Sequence, residues 1–192
     1  MISICFATNN KNKISEVRSK VGDQIAILSL EDIGCYEELP ETMPTLEGNS
    51  SQKARFVADK YKINCFADDT GLEVAALNGE PGVYSARYAG PACDPEDNMN
   101  KLLLEMGGKD DRSAQFKTCI TLILDGKEIV FNGQIKGSIL TERHGTKGFG
   151  YDPIFQPDGY SISFAEMALE EKNNISHRAI AVSKLIDYLK TV

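Results

Sequence analysis

Apolar and polar positions change period several times along the chain, and each change marks an element. Ile2 to Ala7 is a short apolar run suited to a buried strand, ended by the polar run Thr8-Asn9-Asn10-Lys11-Asn12-Lys13. Ile14, Val17 and Val21 then recur at helical spacing, so the polar run reads as a strand-to-helix loop at a helix N-terminus. Gln24 to Leu30 reads as a second strand. Glu37 to Pro44 reads as an acidic loop, because its prolines do not suit a helix interior. Thr45 is placed to cap a helix whose Leu46, Ala54, Val57, Ala58 and Tyr61 share a stripe, with Asn49 and Lys53 at its edge. Cys65-Phe66-Ala67 is apolar up to Asp68-Asp69-Thr70-Gly71, and Leu72, Val74 and Ala76 alternate beyond it as in a half-buried strand. The four residues between read either as an ordinary turn or as a pair of carboxylates at a strand end, where a metal binds.

Asn78 to Gly82 is a further turn, and Asp94-Pro95 opens a helix with Met99, Leu102, Leu103 and Met106 as its apolar face, stopped by Gly107-Gly108. Ala114, Phe116, Thr118, Ile120, Leu122 and Leu124 alternate as a long strand, Asp125-Gly126 is a hairpin turn, and Glu128 to Leu140 returns. His144 to Phe155 is too glycine-rich for a regular element. Ser163 to Glu166 fits a capping box, and Ser176 caps a last helix with Val182, Leu185, Ile186 and Leu189 buried. Strand-helix alternation in front and a long hairpin behind predict a mixed α/β fold, a partly antiparallel sheet flanked by helices.

Composition narrows the chemistry. The 192 residues are 42% hydrophobic and 26% charged, the balance of a soluble globular protein of about one domain's length. No apolar run approaches the ~20 residues of a membrane span, and the first residues lack the basic and apolar regions of a signal peptide, so a cytoplasmic location is expected. A net charge of -7 argues against broad binding to nucleic acid or an anionic membrane, but leaves room for a small polyanion in a locally basic site. The five cysteines are odd in number, widely spread and free of Cys-x-x-Cys pairs, so they read as small core residues. With only His144 and His177, an oxygen-ligated Mg²⁺ or Mn²⁺ is a more natural metal than one held by histidines.

Four stretches carry candidate chemistry. Thr8 to Lys13 offers backbone N–H groups, the positive end of a helix dipole and two lysines to a phosphate, although it lacks the Walker pattern. Asp68 and Asp69 are adjacent carboxylates at a strand end, which invite a metal. Side-chain alternation on a strand lets only one of the adjacent aspartates face a substrate unless the chain turns there. Phe149 and Tyr151 among Gly148 and Gly150 suit a flat base. His177 and Arg178 sit in a first helical turn, where cations oppose the dipole by ~0.3–1 kcal/mol, so a ligand supplies compensation. Lys53 has a solvated helix lysine as its default reading.

Taken together these pieces describe a nucleotide site, and at this point the chain resembles the inosine/xanthosine triphosphate pyrophosphatase family nearly end to end. The matching stretches are Phe6-Ala7-Thr8-Asn9-Asn10 with Lys13, Glu41-Thr42, Asn49 with Lys53-Ala54, Ala67-Asp68-Asp69-Thr70-Gly71-Leu72, Pro81 to Tyr88, Gly148 to Phe155, and Glu171-Lys172-Asn173 with Ile175-Ser176-His177-Arg178. The resemblance implies a single nucleotide pyrophosphatase domain over residues 1–192, two lobes with a cleft between them, and a homodimer. It implies hydrolysis of dITP, ITP and XTP to the monophosphate and pyrophosphate, which removes these nucleotides from the pool before they enter DNA or RNA. Carried over residue by residue, Asp69 is the general base and a metal ligand, with Glu41 and Asp68 near the metal, Mg²⁺ or alternatively Mn²⁺. Thr8, Asn9, Asn10, Lys11, Asn12, Lys13 and Lys53 hold the triphosphate, and Thr70 lies beside them. Phe149, Gly150, Tyr151 and Asp152 surround the base, with Lys172, His177 and Arg178 at its polar edge. The chain departs from the family's habit at Asn9, often glycine, Gly48, often glutamate, Thr70, often serine, and Ala179, often glycine.

Two other classes compete. Asp69-Thr70-Gly71 is also the signature of aspartic proteases, which need two such tripeptides, and this chain has one. A nucleotide-binding regulator that no longer hydrolyses is the second, and the retained Asp69 argues against it.

Overall fold

The computed structural model describes residues 2–21 and 25–191, so the Gln24 end of the second expected strand lies outside the described residues. The first apolar run is strand β1 (Ile2–Phe6), followed by helix α1 (Lys11–Arg18). The helix begins before its first apolar position because the Asn10 carboxamide oxygen accepts the backbone N–H groups of Asn12 and Lys13 at 3.0 and 3.2 Å. Lys11, Asn12 and Lys13 are therefore its first turn rather than loop, and Val21 lies beyond its end.

Strand β2 (Ile25–Leu28) and helix α2 (Leu46–Tyr61) follow, the helix capped by Thr45, whose hydroxyl accepts the Gly48 N–H at 3.0 Å. Strand β3 (Cys65–Val74) runs without a break through Asp68-Asp69-Thr70-Gly71, contrary to a turn there. Its neighbours explain this. Cys5 and Phe6 of β1 pair with Cys65 and Phe66 in parallel, and the short β4 (Pro81–Gly82) pairs with Leu72 and Glu73 antiparallel. Ladder pairing at both ends of the strand overrides the turn propensity of the residues between. Ala76, expected in a strand, belongs to a 3-10 turn over Ala75–Leu77.

Helix α3 (Pro95–Glu105) starts as expected, with the Asp94 carboxylate accepting from the backbone N–H groups of Glu96 and Asp97. The long hairpin is β5 (Ser113–Leu124) and β6 (Lys127–Ile139), joined by Asp125 and Gly126 at φ 49° and 78°, the positive values of a type I′ turn. Strand β7 (Phe155–Pro157) pairs with the end of β6, and helices α4 (Leu169–Ile175) and α5 (His177–Leu189) complete the described chain. Ser163 and Glu166 make one arm of the expected capping box, Ser163 N–H to Glu166 Oε2 at 2.7 Å, but it closes a turn and no helix follows until α4. The strand order is β2-β1-β3-β5-β6-β7 with β4 beside β3, a mixed sheet with flanking helices.

The chain divides into two compact units, the first containing residues 1–69, 118–132 and 180–192, the second 70–117 and 133–179. In the first, Ile4, Phe6, Phe66, Ile120 and Leu122 of the strands pack with Val182, Leu185, Ile186 and Leu189 of α5, the stripe expected from its spacing. Each such side chain contributes about 1.5–3 kcal/mol on burial, which outweighs the ordinary helix propensity of the segment. In the second, Leu72, Val74, Met99, Leu102, Met106, Phe116, Ile154, Phe155 and Phe164 form the core. Cys5, Cys35, Cys65 and Cys119 are buried and unbridged, as expected of core residues, whereas Cys93 is exposed. No helix among the described residues is long and apolar enough to cross a membrane.

Candidate active site

In the first unit, β3 carries two adjacent carboxylates to lysines from different helices. Asp68, 1% exposed, accepts from Lys13 of α1 at 2.9 Å. Asp69 meets α2 instead: its Oδ2 accepts from Asn49 Nδ2 at 3.1 Å, and its Oδ1 lies 3.8 Å from Lys53 Nζ. Adjacent residues of a strand point to opposite sides, so an unbroken β3 separates the direct partners of the two aspartates. Lys53 also donates to Glu41 in a short hydrogen bond, and the loop bearing Glu41 lies along α2, with Thr42 bonded to Gln52.

Charge here is concentrated and desiccated. Burial works against the Lys53 ammonium, but Asp69, Asp68 and Glu41 more than offset it and its pKa is raised, so a lysine whose default reading was solvated is buried and charged. Burial pushes the Asp69 carboxyl above the usual carboxylate range, Glu41 adds to this, and Lys53, Asn49 and Lys13 offset it in part. A buried carboxylate of raised pKa, held against a cation, suits a general base working near neutral pH. The Thr8 hydroxyl accepts the Asn10 N–H at 3.2 Å, and Asn9, Asn10, Lys11 and Asn12 are exposed around the start of α1. Among the described residues the left-handed non-glycine positions are Lys62, Asn78, Cys93 and Asp125, so asparagine at position 9 meets no backbone demand for glycine.

In the second unit, the glycine-rich loop is fixed by Asp152. Its Oδ2 accepts from Lys172 Nζ at 2.6 Å and from the Phe149 N–H at 2.8 Å, with both charged side chains almost fully buried. Burial raises the Asp152 pKa, opposed by Lys172, the Phe149 N–H and Arg178. Gly148 has φ 77°, and a Cβ there collides with the Asp152 carboxylate, so this position requires glycine. Lys172 Nζ and Arg178 Cζ lie 4.7 and 5.4 Å from the Phe149 ring centre, and His177 stacks on Phe116 at 4.7 Å. His177 and Arg178 are buried in the first turn of α5, where Ser176 caps the Ala179 N–H at 3.2 Å. Asp152 itself thus supplies part of the negative charge that offsets Arg178. Gly150 has φ 62°, and Tyr151 faces away into the core, its hydroxyl donating to the Ser85 carbonyl at 2.8 Å.

A divalent cation finds two suitable ligands. Glu41 and Asp69 are brought together, both within reach of the Lys53 ammonium. A hard ion such as Mg²⁺ needs only one or two carboxylates when substrate phosphates and waters complete its shell. The donor set therefore fits. Asp68 is the direct partner of Lys13 and also acts on the Lys53 charge, and among the described residues no three His, Cys, Asp or Glu side chains gather as a closed metal cage.

Three residues of this arrangement were not among the candidates from sequence. Asn49 falls in a stretch that matches the family, at a helix-stripe edge, but its role appears only in its 1% exposure and its bond to Asp69. Gln52 carries no chemical signal, and Ser85, although within the matching Pro81 to Tyr88 stretch, meets Tyr151 only through the fold. Thr70 continues β3, half-buried, next to Asp69.

Known proteins resemble this chain in sequence and in fold. The Ham1 family model matches residues 4–188. A curated relative named dITP/XTP pyrophosphatase, from Flavobacterium johnsoniae, is 57% identical over 188 residues, covering 98% of each chain. The Ham1 protein of Staphylococcus aureus superposes with a TM-score of 0.91 at 37% identity over 98% of each chain. That of Coxiella burnetii superposes with a TM-score of 0.94 at 34% identity over 100% of each. Neither a protease nor a non-hydrolysing regulator is supported by these likenesses, and Asp69-Thr70-Gly71 lies within β3 of a mixed α/β fold.

Proposed function

This chain belongs to the Ham1 family, and from that premise we propose that it hydrolyses deaminated purine nucleoside triphosphates, dITP, ITP and XTP, to the monophosphate and pyrophosphate. The observation that carries the reading is Asp69, buried, raised in pKa, and held between Asn49 and Lys53. Asp69 takes a proton from the water that attacks the α-phosphorus, and pyrophosphate leaves. Lys13, Lys53 and the exposed polar side chains around the start of α1 bind the triphosphate oxygens, each ammonium having three donors to share between a carboxylate and the substrate. At an effective dielectric of 20, a unit charge pair at 4 Å is worth about 4 kcal/mol, so these cations dominate any single neutral hydrogen bond. Glu41 and Asp69 would hold Mg²⁺, with Mn²⁺ as the alternative; when bound, the ion neutralises charge on the phosphate oxygens.

The base is bound in the second unit. Phe149 offers a ring face, and His177 and Arg178 offer donors that suit a 6-oxo purine. Adenine presents an amino donor at the same position, which leaves those buried donors unpaired. Removal of these nucleotides from a cytoplasmic pool, and a homodimer at twice the 21.1 kDa chain mass, belong to the same proposal.

The test is product analysis. Pyrophosphate and orthophosphate are measured from ITP, dITP, XTP, ATP and GTP, with Mg²⁺ and with EDTA. Metal-dependent pyrophosphate from the inosine and xanthosine nucleotides, with little from ATP, is expected. Orthophosphate instead would mean that the terminal phosphate is attacked and the assignment is wrong. Light scattering reads the oligomeric state.

A further inference from the structure

One side chain in the first unit holds Asp69 without a role in the steps above. Asn49 lies on α2, one turn before Lys53, and is 1% exposed. Its Oδ1 accepts the backbone N–H of Met43 at 2.9 Å, while its Nδ2 donates to Asp69 Oδ2 at 3.1 Å. A backbone N–H can only donate, so the oxygen end of the carboxamide must face Met43 and the amino end is committed to Asp69. The same carboxamide therefore ties the Glu41-bearing loop to the strand-borne aspartate.

Further contacts settle that loop on α2. Gln52 Oε1 accepts the Thr42 N–H at 2.9 Å, and Gln52 Nε2 donates to the Thr42 hydroxyl at 2.8 Å. Gly48 adds room: a Cβ there would stand 2.7 Å from Met43 Cβ, so a side chain at this position would lift the loop. The terminal torsion of an aspartate is broad and weakly defined by itself, so an external donor decides where its oxygens point. With Oδ2 engaged by Asn49, the other oxygen is the one turned toward Lys53 at 3.8 Å.

We propose that Asn49 is a positioning residue for hydrolysis: it fixes the rotation of the Asp69 carboxylate and, through Met43, keeps Glu41 in register with it. This rests on the reading of Asp69 as the general base. Two variants separate positioning from structure. Asn49→Asp keeps the shape and the acceptor for Met43 but has no donor for Asp69, whereas Asn49→Leu loses both.

Steady-state kinetics on ITP with Mg²⁺ are measured for both, with melting temperatures and with ITP affinity by calorimetry in EDTA. Misplacing a catalytic group can cost on the order of 100-fold, so a fall in kcat of roughly 10- to 100-fold is expected in each variant, with KM and metal-free affinity within about twofold. A purely structural role instead predicts near-normal kcat for Asn49→Asp, which retains the Met43 bond, and that result would overturn the proposal. So would a loss confined to KM. A cycle guards against misfolding: adding Asn49→Leu to Asp69→Asn should cost clearly less than the product of the two single losses if Asn49 acts largely through Asp69, and a fully multiplicative loss refutes it. Asp69→Asn alone distinguishes the two levels. If it is inactive while the Asn49 variants are normal, only the positioning role falls; if it remains active, the base assignment falls and takes the positioning role with it.

Discussion

Replacing Lys172 with methionine tests whether the base-side loop depends on a buried charge pair. Lys172 Nζ is 2.6 Å from Asp152 Oδ2, with side chains 6% and 4% exposed. Methionine preserves the apolar stem and removes the charge, stranding a carboxylate in a low-dielectric site, a loss that typically costs about 3–5 kcal/mol. The Phe149 N–H still donates to the same oxygen at 2.8 Å, and the Arg178 charge still acts on Asp152, so the lower end applies. At about 3 kcal/mol and ~2–4 °C per kcal/mol for a chain of this size, melting should fall by about 6–12 °C. The pH dependence carries a sign. Burial already raises the Asp152 pKa against the opposing pull of Lys172, and without Lys172 it rises further. A carboxyl whose folded pKa exceeds its unfolded value contributes stability that is fully present below the unfolded pKa and lost as pH rises through the folded one. The deficit of the variant should therefore shrink on acidification. Thermal melts followed by circular dichroism, from mildly alkaline to mildly acid pH, measure it. A deficit below about 2 °C near neutral pH, or one that does not narrow with acid, would refute the reasoning.

Three further outcomes are expected. Asp69→Asn should keep the fold and lose turnover by on the order of 10²–10⁴, read by pyrophosphate release alongside a melt; near-normal activity counts against the base assignment. Arg178→Ala should narrow the ratio of ITP to ATP turnover as well as lower the rate on ITP, and an unchanged ratio would remove Arg178 from base reading. Because the base must be ionised to take a proton, kcat should fall on the acid side, and Asp69→Asn should remove that limb from the residual activity; an acid limb unchanged in the variant contradicts the base assignment.

Where the sequence was legible, a local rule and a burial pattern agreed. Helix α5 has Ser176 as cap and an apolar stripe that packs as its spacing requires. The β5–β6 hairpin has alternation on both sides of Asp125-Gly126. Reading failed where tertiary pairing beat local preference. Asp68-Asp69-Thr70-Gly71 are turn formers, yet β1 and β4 hold them in one strand. Helix α4 has no apolar stripe to announce it, and its Lys172 is buried as the partner of Asp152. Lys53 reads as a surface lysine until three carboxylates are placed around it.

The sequence by itself determined the inventory of the site: which carboxylates, lysines, aromatics and glycines are present, and the family resemblance that their order carries. Only the tertiary structure decided the pairing. Period-two alternation sends Asp68 and Asp69 to opposite sides of one strand, but nothing in the chain says which lysine waits on each side. That depends on how α1 and α2 pack, and it joins residues far apart in sequence, Lys13 to Asp68 and Asn49 to Asp69. Burial then makes the pairing consequential, because removing water from Asp69 and Lys53 turns ordinary side chains into a carboxyl of raised pKa and a retained positive charge.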